Sequence, residues 1–160
     1  MALRPLIVSA GVALLLDQAS KYAVIHAMEL WRVHAIDVFP PLLNFRYGEN
    51  RGINFGLLGG DSETARWALI GFSLLVVAAV VVWIWRAQKG LWMQISAGAV
   101  AGGALGNVVD RVFYGYVLDF LNMSCCGIDN PFVFNVADVF IFAGAAGLIL
   151  FDGKGGKKRA

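Results

Sequence analysis

The sequence predicts an all-α membrane protein with four transmembrane helices and a small extended or β element on one side of the membrane. Of the 160 residues, 59% are hydrophobic and only 15% are charged, which is too little polar surface to cover a soluble core of this size. Four apolar runs each approach the ~20 residues needed to cross the hydrocarbon layer. The net charge is only +2, and the basic residues form no basic stripe, so we do not expect a nucleic-acid partner.

The four apolar runs are expected to form one membrane-embedded domain that covers 1–160. The first run contains Asp17 and Lys21 and is not followed by an A-x-A cleavage site, so we expect a retained span rather than a secretory signal. A short connection, 86–90, makes the second and third runs antiparallel neighbours. The predicted spans are residues 5–25, 67–85, 91–109 and 132–151.

Basic residues predict the orientation of these spans. An even number of spans puts both termini on the same side of the membrane. Lys and Arg collect on that side, opposed only by Asp152, and the positive-inside rule makes it cytoplasmic. The basic residues are Arg4, Arg86, Lys89, Lys154, Lys157, Lys158 and Arg159.

The two longer connections, 26–66 and 110–131, then face outward. The first contains Pro40 and Pro41, followed by alternating apolar and polar residues up to Tyr47. This pattern predicts a small extended or β element on the membrane surface. In the second connection, Asp119 lies between apolar neighbours, which indicates that this segment also docks onto the surface.

Glycines recur along the third span at four-residue spacing. On a helix this spacing predicts a smooth face against which another helix backbone packs closely. We expect Asn107 and Arg111 to continue the same line and to come close to a neighbouring span. The glycines are Gly98, Gly102 and Gly106, with Gly103 beside them.

Polar residues from separate segments are predicted to meet at the outer side. A charged group inside a span is costly, so it needs a partner or a function. Asp17 lies ~20 Å along the helix from Arg4, in the outer part of the bilayer. The other polar residues expected at this depth are Asn50, Asn107, Asp110, Arg111, Asp119, Asn135 and Asp138.

Several of these residues also have a purely structural explanation. The collection of so many polar groups at one depth nevertheless favours a functional site, because neither a helix cap nor an ion pair requires polar residues from other segments at the same depth. The structural alternatives are an ion pair of Asp17 with Lys21 along one helix face, a local ion pair of Asp110 with Arg111, and a helix cap at Asn135 with Asp138 as its first-turn acid.

Asp119 and Asp138 are the candidate catalytic pair. Two carboxylates in a poorly solvated place tend to share one proton. One can then act as base on a water while the other donates a hydrogen bond to a carbonyl, which is the chemistry of peptide hydrolysis without a covalent intermediate. The sequence has no G-x-S-x-G or H-E-x-x-H motif, and His26 and His34 are expected to lie together, away from the acids.

Two other classes of protein compete with a hydrolase. A small proton-coupled transporter or channel component would use intramembrane acids as a relay, which requires acids across the whole membrane depth. A structural or assembly subunit predicts no cluster of Asn, Arg and Asp at all. The clustering at one depth favours the hydrolase over both.

Four sequence blocks resemble those of the lipoprotein signal peptidase (signal peptidase II) family. They occur in the family's order and span most of the chain, and the set is far more specific than any one block. The blocks are 17–21 (DQASK), 50–55 (NRGINF), 102–111 (GGALGNVVDR) leading to 117–120 (VLDF), and 134–138 (FNVAD).

The resemblance implies an aspartyl endopeptidase of the bacterial inner membrane with an outward-facing site, which cleaves prolipoprotein signal peptides just before a diacylglyceryl-modified cysteine. It implies Asp119 and Asp138 as the catalytic pair. We expect signal peptides of lipid-modified prolipoproteins and membrane lipids as partners, a monomer, and neither a cofactor nor a metal. The residues implied to line or support the site are Asp17, Asn50, Asn107, Arg111 and Asn135. We expect Lys21, Gly52 and Asp110 to bind substrate or support the site as well.

Two features depart from the family's pattern. Ile53 and Asn54 stand where the family often has small residues, which affects the expected shape of the outer loop but not the chemistry. The resemblance gives no role to Cys125 and Cys126. Adjacent cysteines rarely adopt the geometry of a mutual disulfide, so the sequence alone favours incidental loop residues.

Overall fold

The computed structural model describes residues 3–52, 63–127 and 130–152, which form a mostly helical chain with one small antiparallel sheet. The predicted helical class and the β element are therefore confirmed. Ile53 and Asn54 lie outside the described residues. The helices are α1 (Arg4–Lys21), α2 (Leu30–Val33), α3 (Glu63–Arg86), α4 (Leu91–Phe113) and α5 (Val136–Asp152), and the strands are β1 (Ala35–Phe39), β2 (Leu43–Asn50) and β3 (Val117–Asn122).

The helices differ by a few residues from the predicted spans. The first run continues beyond α1 as a wider helical turn, Tyr22–Ala27. Helix α3 begins at Glu63, before the predicted start of the second span. Helix α4 continues to Phe113 because its last turn, although polar, is held by contacts described below.

The start of α5 corrects the prediction for the fourth span. Phe134 forms an antiparallel β bridge with Leu121, so the chain is still extended there. The helix begins at Val136, and Asn135 precedes it rather than lying in its first turn.

Helix α4 is the centre of the helical part, because α1, α3 and α5 all pack against it. A Cβ atom added at Gly98 or Gly102 would collide with the backbone of α1, whereas one at Gly103 would collide with Ala137 on α5. The predicted smooth face is confirmed, but it consists of two adjacent lines that serve different helices. Asn107 continues the line that faces α5.

Helix α3 is the one helix among the described residues that is both long enough and apolar enough to cross a membrane by itself. Most of its apolar side chains are exposed, as expected for a lipid-facing helix. The other three long helices differ from α3. Helix α1 carries three charged side chains, α4 is rich in glycine and polar residues, and the described part of α5 has 17 residues. The count of four spans stays a prediction.

The sheet has the strand order β1-β2-β3, with antiparallel pairing throughout. Strand β3 was not predicted, and Asp119 lies within it, opposite Gly48 of β2. The strand is buried along nearly its whole length, so it lacks the alternation of apolar and polar residues that identifies a half-buried strand.

Apolar side chains attach the sheet to the end of the first helical run. The cluster places β3, and with it Asp119, beside the polar end of α1. Its buried members are Val24, Ile25, Leu30, Leu118 and Phe120.

Candidate active site

Asp119 is buried in the middle of β3, with 3% of its surface exposed. Asn135 Nδ2 donates to its Oδ1 at 2.6 Å, and Asn50 Nδ2 donates to its Oδ2 at 3.0 Å. Each carboxylate oxygen of Asp119 therefore has an amide donor, one from the segment before α5 and one from the end of β2.

Asp138 lies in the first turn of α5 and is partly exposed. Its Oδ2 accepts the backbone N–H of Asn135 at 3.2 Å, and Asn135 Oδ1 accepts the backbone N–H of Asp138 at 3.0 Å. This reciprocal pair is a capping box, so the cap that the sequence suggested is confirmed. It coexists with the site, because the same Asn135 side chain also binds Asp119.

Asn107 extends this group from α4. Its Nδ2 donates to Asp138 Oδ1 at 3.1 Å, while its Oδ1 accepts from Asn135 Nδ2 at 3.3 Å. The two candidate catalytic aspartates and the two asparagines thus form one connected hydrogen-bond network that joins β3, α4 and α5.

Beneath this network lies a buried ionic triad. Lys21 Nζ is 2.8 Å from Asp17 Oδ2 and 2.7 Å from Asp110 Oδ2. The predicted pairing of Asp17 with Lys21 is confirmed. Asp110 forms its ion pair with Lys21 and not with its neighbour Arg111, which interacts with it only at longer range.

The two acids of the triad hold the backbone beside the two candidate catalytic residues. Asp17 Oδ1 accepts the N–H of Ala137, at 2.8 Å, and Asp110 Oδ2 accepts the N–H of Leu118, at 3.0 Å. Ala137 and Leu118 immediately precede Asp138 and Asp119. Because buried backbone donors need partners, these bonds fix the positions of both segments relative to α1 and α4.

Gln18 belongs to the same group and was missed from the sequence. Its Nε2 lies 2.9 Å from Asp110 Oδ1, 3.1 Å from Asp17 Oδ2 and 3.3 Å from the carbonyl oxygen of Gly106. A signal was available, since Gln18 is a polar amide next to Asp17 within an apolar run and, like a charged group there, needs partners.

Arg111 and the Asn50–Gly52 segment lie at the edge of the site. Arg111 donates to the carbonyl oxygen of Asn107 at 3.3 Å, and its charge interacts with those of Asp119 and Asp138. Gly52, at φ +91°, has the left-handed backbone that favours glycine. Its N–H donates to Asn50 Oδ1 at 3.1 Å, so Asn50 shapes the turn and binds Asp119 at once.

Burial raises the pKa of Asp119 to about 6, and the charge of Asp138 raises it as well, while the amide donors Asn135 and Asn50 act to lower it. The dominant physical cause is loss of water around the carboxylate. Asp119 therefore holds a proton at a pH where an ordinary aspartate is ionised.

The described residues contain no group of three or more His, Cys, Asp and Glu side chains arranged to hold a metal ion. His26 lines a cavity of about 190 Å³ together with Lys21 and Asp110. Neither Asp119 nor Asp138 lines this cavity, so the expectation that the histidines lie away from the catalytic pair stays a prediction. His26 belongs to the wider helical turn that follows α1.

Comparison with known proteins decides the family. The sequence profile described as signal peptidase (SPase) II matches residues 9–152, which include every candidate site residue named above. The chain belongs to the signal peptidase II family. It is accordingly a membrane-associated peptidase. Family membership therefore favours peptide hydrolysis over proton-coupled transport as the role of the clustered acids.

Curated relatives in this family cover nearly the whole chain. A protein of Methylobacterium sp. (strain 4-46), named lipoprotein signal peptidase, is 40% identical over 151 residues, which are 92% of this chain and 90% of the relative. Another of the same name, from Caulobacter vibrioides, is 40% identical over 142 residues, which are 88% of this chain and 82% of the relative.

Solved structures share the fold. A bacterial membrane enzyme determined by the in meso method at 2.3 Å is 28% identical, with a TM-score of 0.76, covering 97% of this chain and 92% of that one. A second, at 1.9 Å, is 27% identical, with a TM-score of 0.77, covering 96% and 94%. The arrangement of helices and sheet is therefore that of a bacterial membrane enzyme.

Proposed function

We propose that this signal peptidase is an aspartyl endopeptidase whose catalytic pair is Asp119 and Asp138. One observation carries the proposal: Asn135 hydrogen-bonds both carboxylates, Asp119 through its side-chain amide and Asp138 through its backbone N–H. Strand β3 and helix α5, which follow one another along the chain, thereby present two acids to the same asparagine. Such convergence is what general acid and general base catalysis by a carboxyl pair requires.

The pair shares one proton in the proposed reaction. The ionised carboxylate removes a proton from a water molecule, which attacks the scissile carbonyl carbon, while the protonated carboxyl donates a hydrogen bond to the carbonyl oxygen. The resulting tetrahedral intermediate collapses as the leaving amide nitrogen takes a proton from the pair. The raised pKa of Asp119 supports proton sharing near neutral pH.

Neighbouring groups hold the reacting atoms in place. Asn107 donates to Asp138, which orients that carboxylate. The charge of Arg111 interacts with those of both acids and is proposed to stabilise negative charge that develops on the substrate. Asp17, Lys21, Gln18 and Asp110 act indirectly, through the backbone that precedes each catalytic residue. The reaction needs two carboxylates and a water, so we expect no metal or cofactor.

The substrate is proposed to be a lipoprotein signal peptide. The curated relatives carry that substrate in their name, and the resemblance implies cleavage before a diacylglyceryl-modified cysteine. The acyl chains of such a cysteine stay in the outer leaflet, so the scissile bond must lie near headgroup depth. Asp119 belongs to a sheet beyond the outer end of α1, which is consistent with that depth.

The Asn50–Gly52 segment is proposed to close over the bound peptide. Asn50 already links the outer loop to Asp119, and Gly52 lets the backbone approach a ligand closely. Loop closure of this kind excludes water and commits the substrate. A turn-shaping role alone would explain the bond to Gly52, but not the bond to Asp119.

The chain is further proposed to be one multi-pass domain, 1–160, of the bacterial inner membrane, monomeric and in contact with lipid. Helices α1, α3, α4 and α5 would cross the membrane, with both termini cytoplasmic and the sheet outside. The basic residues on the terminal side support this orientation. The exposed apolar side chains of α3 support lipid contact.

Cleavage of a lipid-modified prolipoprotein by the purified protein tests the proposed substrate. We expect hydrolysis immediately before the modified cysteine, read from the mass of both products. The same precursor without its lipid should be cleaved at least tenfold more slowly, because its scissile bond is not held at the membrane surface. Equal rates on both precursors, or cleavage at another bond, would refute the proposed specificity.

A further inference from the structure

Two adjacent cysteines lie in an exposed turn that follows β3. Cys125 and Cys126 are both free and exposed, and their Sγ atoms are 2.7 Å apart. Cys126 has φ +60° and Gly127 has φ +78°, so the turn has a left-handed backbone at two successive positions. The turn thus presents two thiols in mutual contact to the surroundings.

The chain on both sides of the thiols is fixed by hydrogen bonds. Ser124 N–H donates to the carbonyl oxygen of Pro41 at 3.1 Å, and Ser124 Oγ accepts the N–H of Asn130 at 3.0 Å. Asn122 Nδ2 also donates to the carbonyl oxygen of Asn130, at 2.7 Å. These bonds hold the base of the turn, so the two thiols, already in contact, can react with each other while the turn stays attached to the sheet.

We propose that Cys125 and Cys126 are a reversible oxidation site, which reacts with small disulfides to form a disulfide between the two adjacent residues. One thiolate attacks a sulfur of the small disulfide, forming a mixed disulfide and releasing one thiol. The second cysteine attacks its neighbour's sulfur and releases the other thiol. The pair loses two electrons and two protons, and the small disulfide gains them as two thiols.

Geometry makes this disulfide labile. The Cα atoms of adjacent residues are about 3.8 Å apart across a trans peptide bond, which is shorter than the ~4.4–6.8 Å of ordinary disulfides. The ring is therefore strained, and strained, exposed disulfides are the easily reduced ones. The site responds to its redox surroundings rather than stapling the fold.

The proposed orientation places the turn outside the cytoplasm, where conditions favour oxidation. Closing the ring there removes two exposed thiols from exchange with other exported proteins. The contact with Cys126 raises the pKa of the Cys125 thiol, so exchange should become faster as the pH rises. The oxidation itself depends only on the two thiols and can be measured without reference to membrane orientation or peptidase activity.

The test uses the full-length protein in detergent, reduced and then equilibrated with oxidised glutathione. Free thiols are next blocked with N-ethylmaleimide, and the intact mass is measured. We expect the loss of both alkylation sites and a mass lower by two hydrogen atoms, reversed by dithiothreitol. Cys125→Ser and Cys126→Ser should each accumulate a glutathione adduct instead, and the variant with both substitutions should show neither change.

Three results would overturn the proposal. The first is that both thiols are still alkylated after equilibration, and the second is that both cysteines carry glutathione. The third is that the unsubstituted protein forms as much disulfide-linked dimer as the single-cysteine variants do. Lipoprotein cleavage should stay unchanged in the variant with both substitutions. The redox proposal and the proposed peptidase function can therefore fail separately.

Discussion

Asn135 donates its side-chain amide to Asp119, with 2.6 Å between Nδ2 and Oδ1. The same residue exchanges hydrogen bonds with Asp138 as the cap of α5. The start of a helix and the middle of a strand are thus joined by one short side chain. The relative position of the two acids depends on it.

Two substitutions of Asn135 separate these roles. Asn135→Ser keeps an oxygen that caps the helix but removes the amide donor to Asp119, whereas Asn135→Ala removes both. Both variants should lose most cleavage activity. The alanine variant should lose about 1 kcal/mol more unfolding free energy than the serine variant, measured by thermal unfolding in detergent. Near-normal turnover in the serine variant would show that the amide does not position Asp119.

Helix α1 must lie close to α4 for the ionic triad to form. Gly102→Ala places a Cβ against the backbone oxygen of Ala10, so we expect about 1–3 kcal/mol of destabilisation from overpacking, together with lower activity. Gly11→Ala on α1 is the matched control, because a Cβ there meets nothing within 4 Å. Similar melting temperatures for both variants would contradict the close contact.

The raised pKa of Asp119 predicts how stability depends on pH. A carboxyl whose pKa is about 6 in the folded protein, against an ordinary value of 3.8, binds its proton more tightly in the folded state. This stabilisation is complete below pH 4 and is lost as the pH rises through about 6. The melting temperature of Asp119→Asn minus that of the unsubstituted protein should therefore rise as the pH is raised from 4 to 8.

The matched control for this measurement is Asp37→Asn. Asp37 is an exposed aspartate on β1 that pairs with Arg46 at 2.6 Å. Its substitution should show no comparable gain as the pH rises. A gain of the same size in both variants, or a falling difference for Asp119→Asn, would mean that Asp119 is not desolvated.

Cysteine labelling tests the orientation. In a background with Cys125→Ser and Cys126→Ser, a cysteine at Gly90 should be protected from a membrane-impermeant maleimide in intact cells. A cysteine at Asp37 should react, because the sheet lies outside. Permeabilised cells should label both positions, which controls for burial. Labelling of Gly90→Cys alone in intact cells would show that the orientation is the reverse of the one proposed, and would contradict a site in the outer leaflet.

The sequence predicted the helical class and the small sheet, because both rest on strong local signals. Long apolar runs identified the helices, and the Pro40–Pro41 pair followed by alternation indicated a small extended or β element. The third strand was missed because β3 is buried along its length and carries no alternation. Its pairing with β2 joins segments about 70 residues apart, which no local pattern encodes.

The sequence predicted which residues meet at the candidate site but not which of them bind each other. Depth along the spans brought Asp17, Asn107 and Asp138 together correctly. The partner of Asp110 was wrong, because neighbours in sequence point in different directions on a helix while Lys21 approaches from α1. The roles of Asp17 and Asp110 as acceptors for backbone N–H groups depend on how helices pack, which spacing alone cannot give.

Turnover of Asp119→Asn, Asp138→Asn and the variant with both substitutions tests the central claim most directly. Each protein should fold, as judged by its melting transition, and Asp37→Asn should cleave a lipid-modified prolipoprotein at the normal rate. Because the acids act as a unit, each single variant should lose roughly 10³-fold or more in kcat, and the variant with both should be hardly slower than either. Substantial turnover by either single variant, or losses that multiply in the variant with both, would contradict a shared catalytic pair.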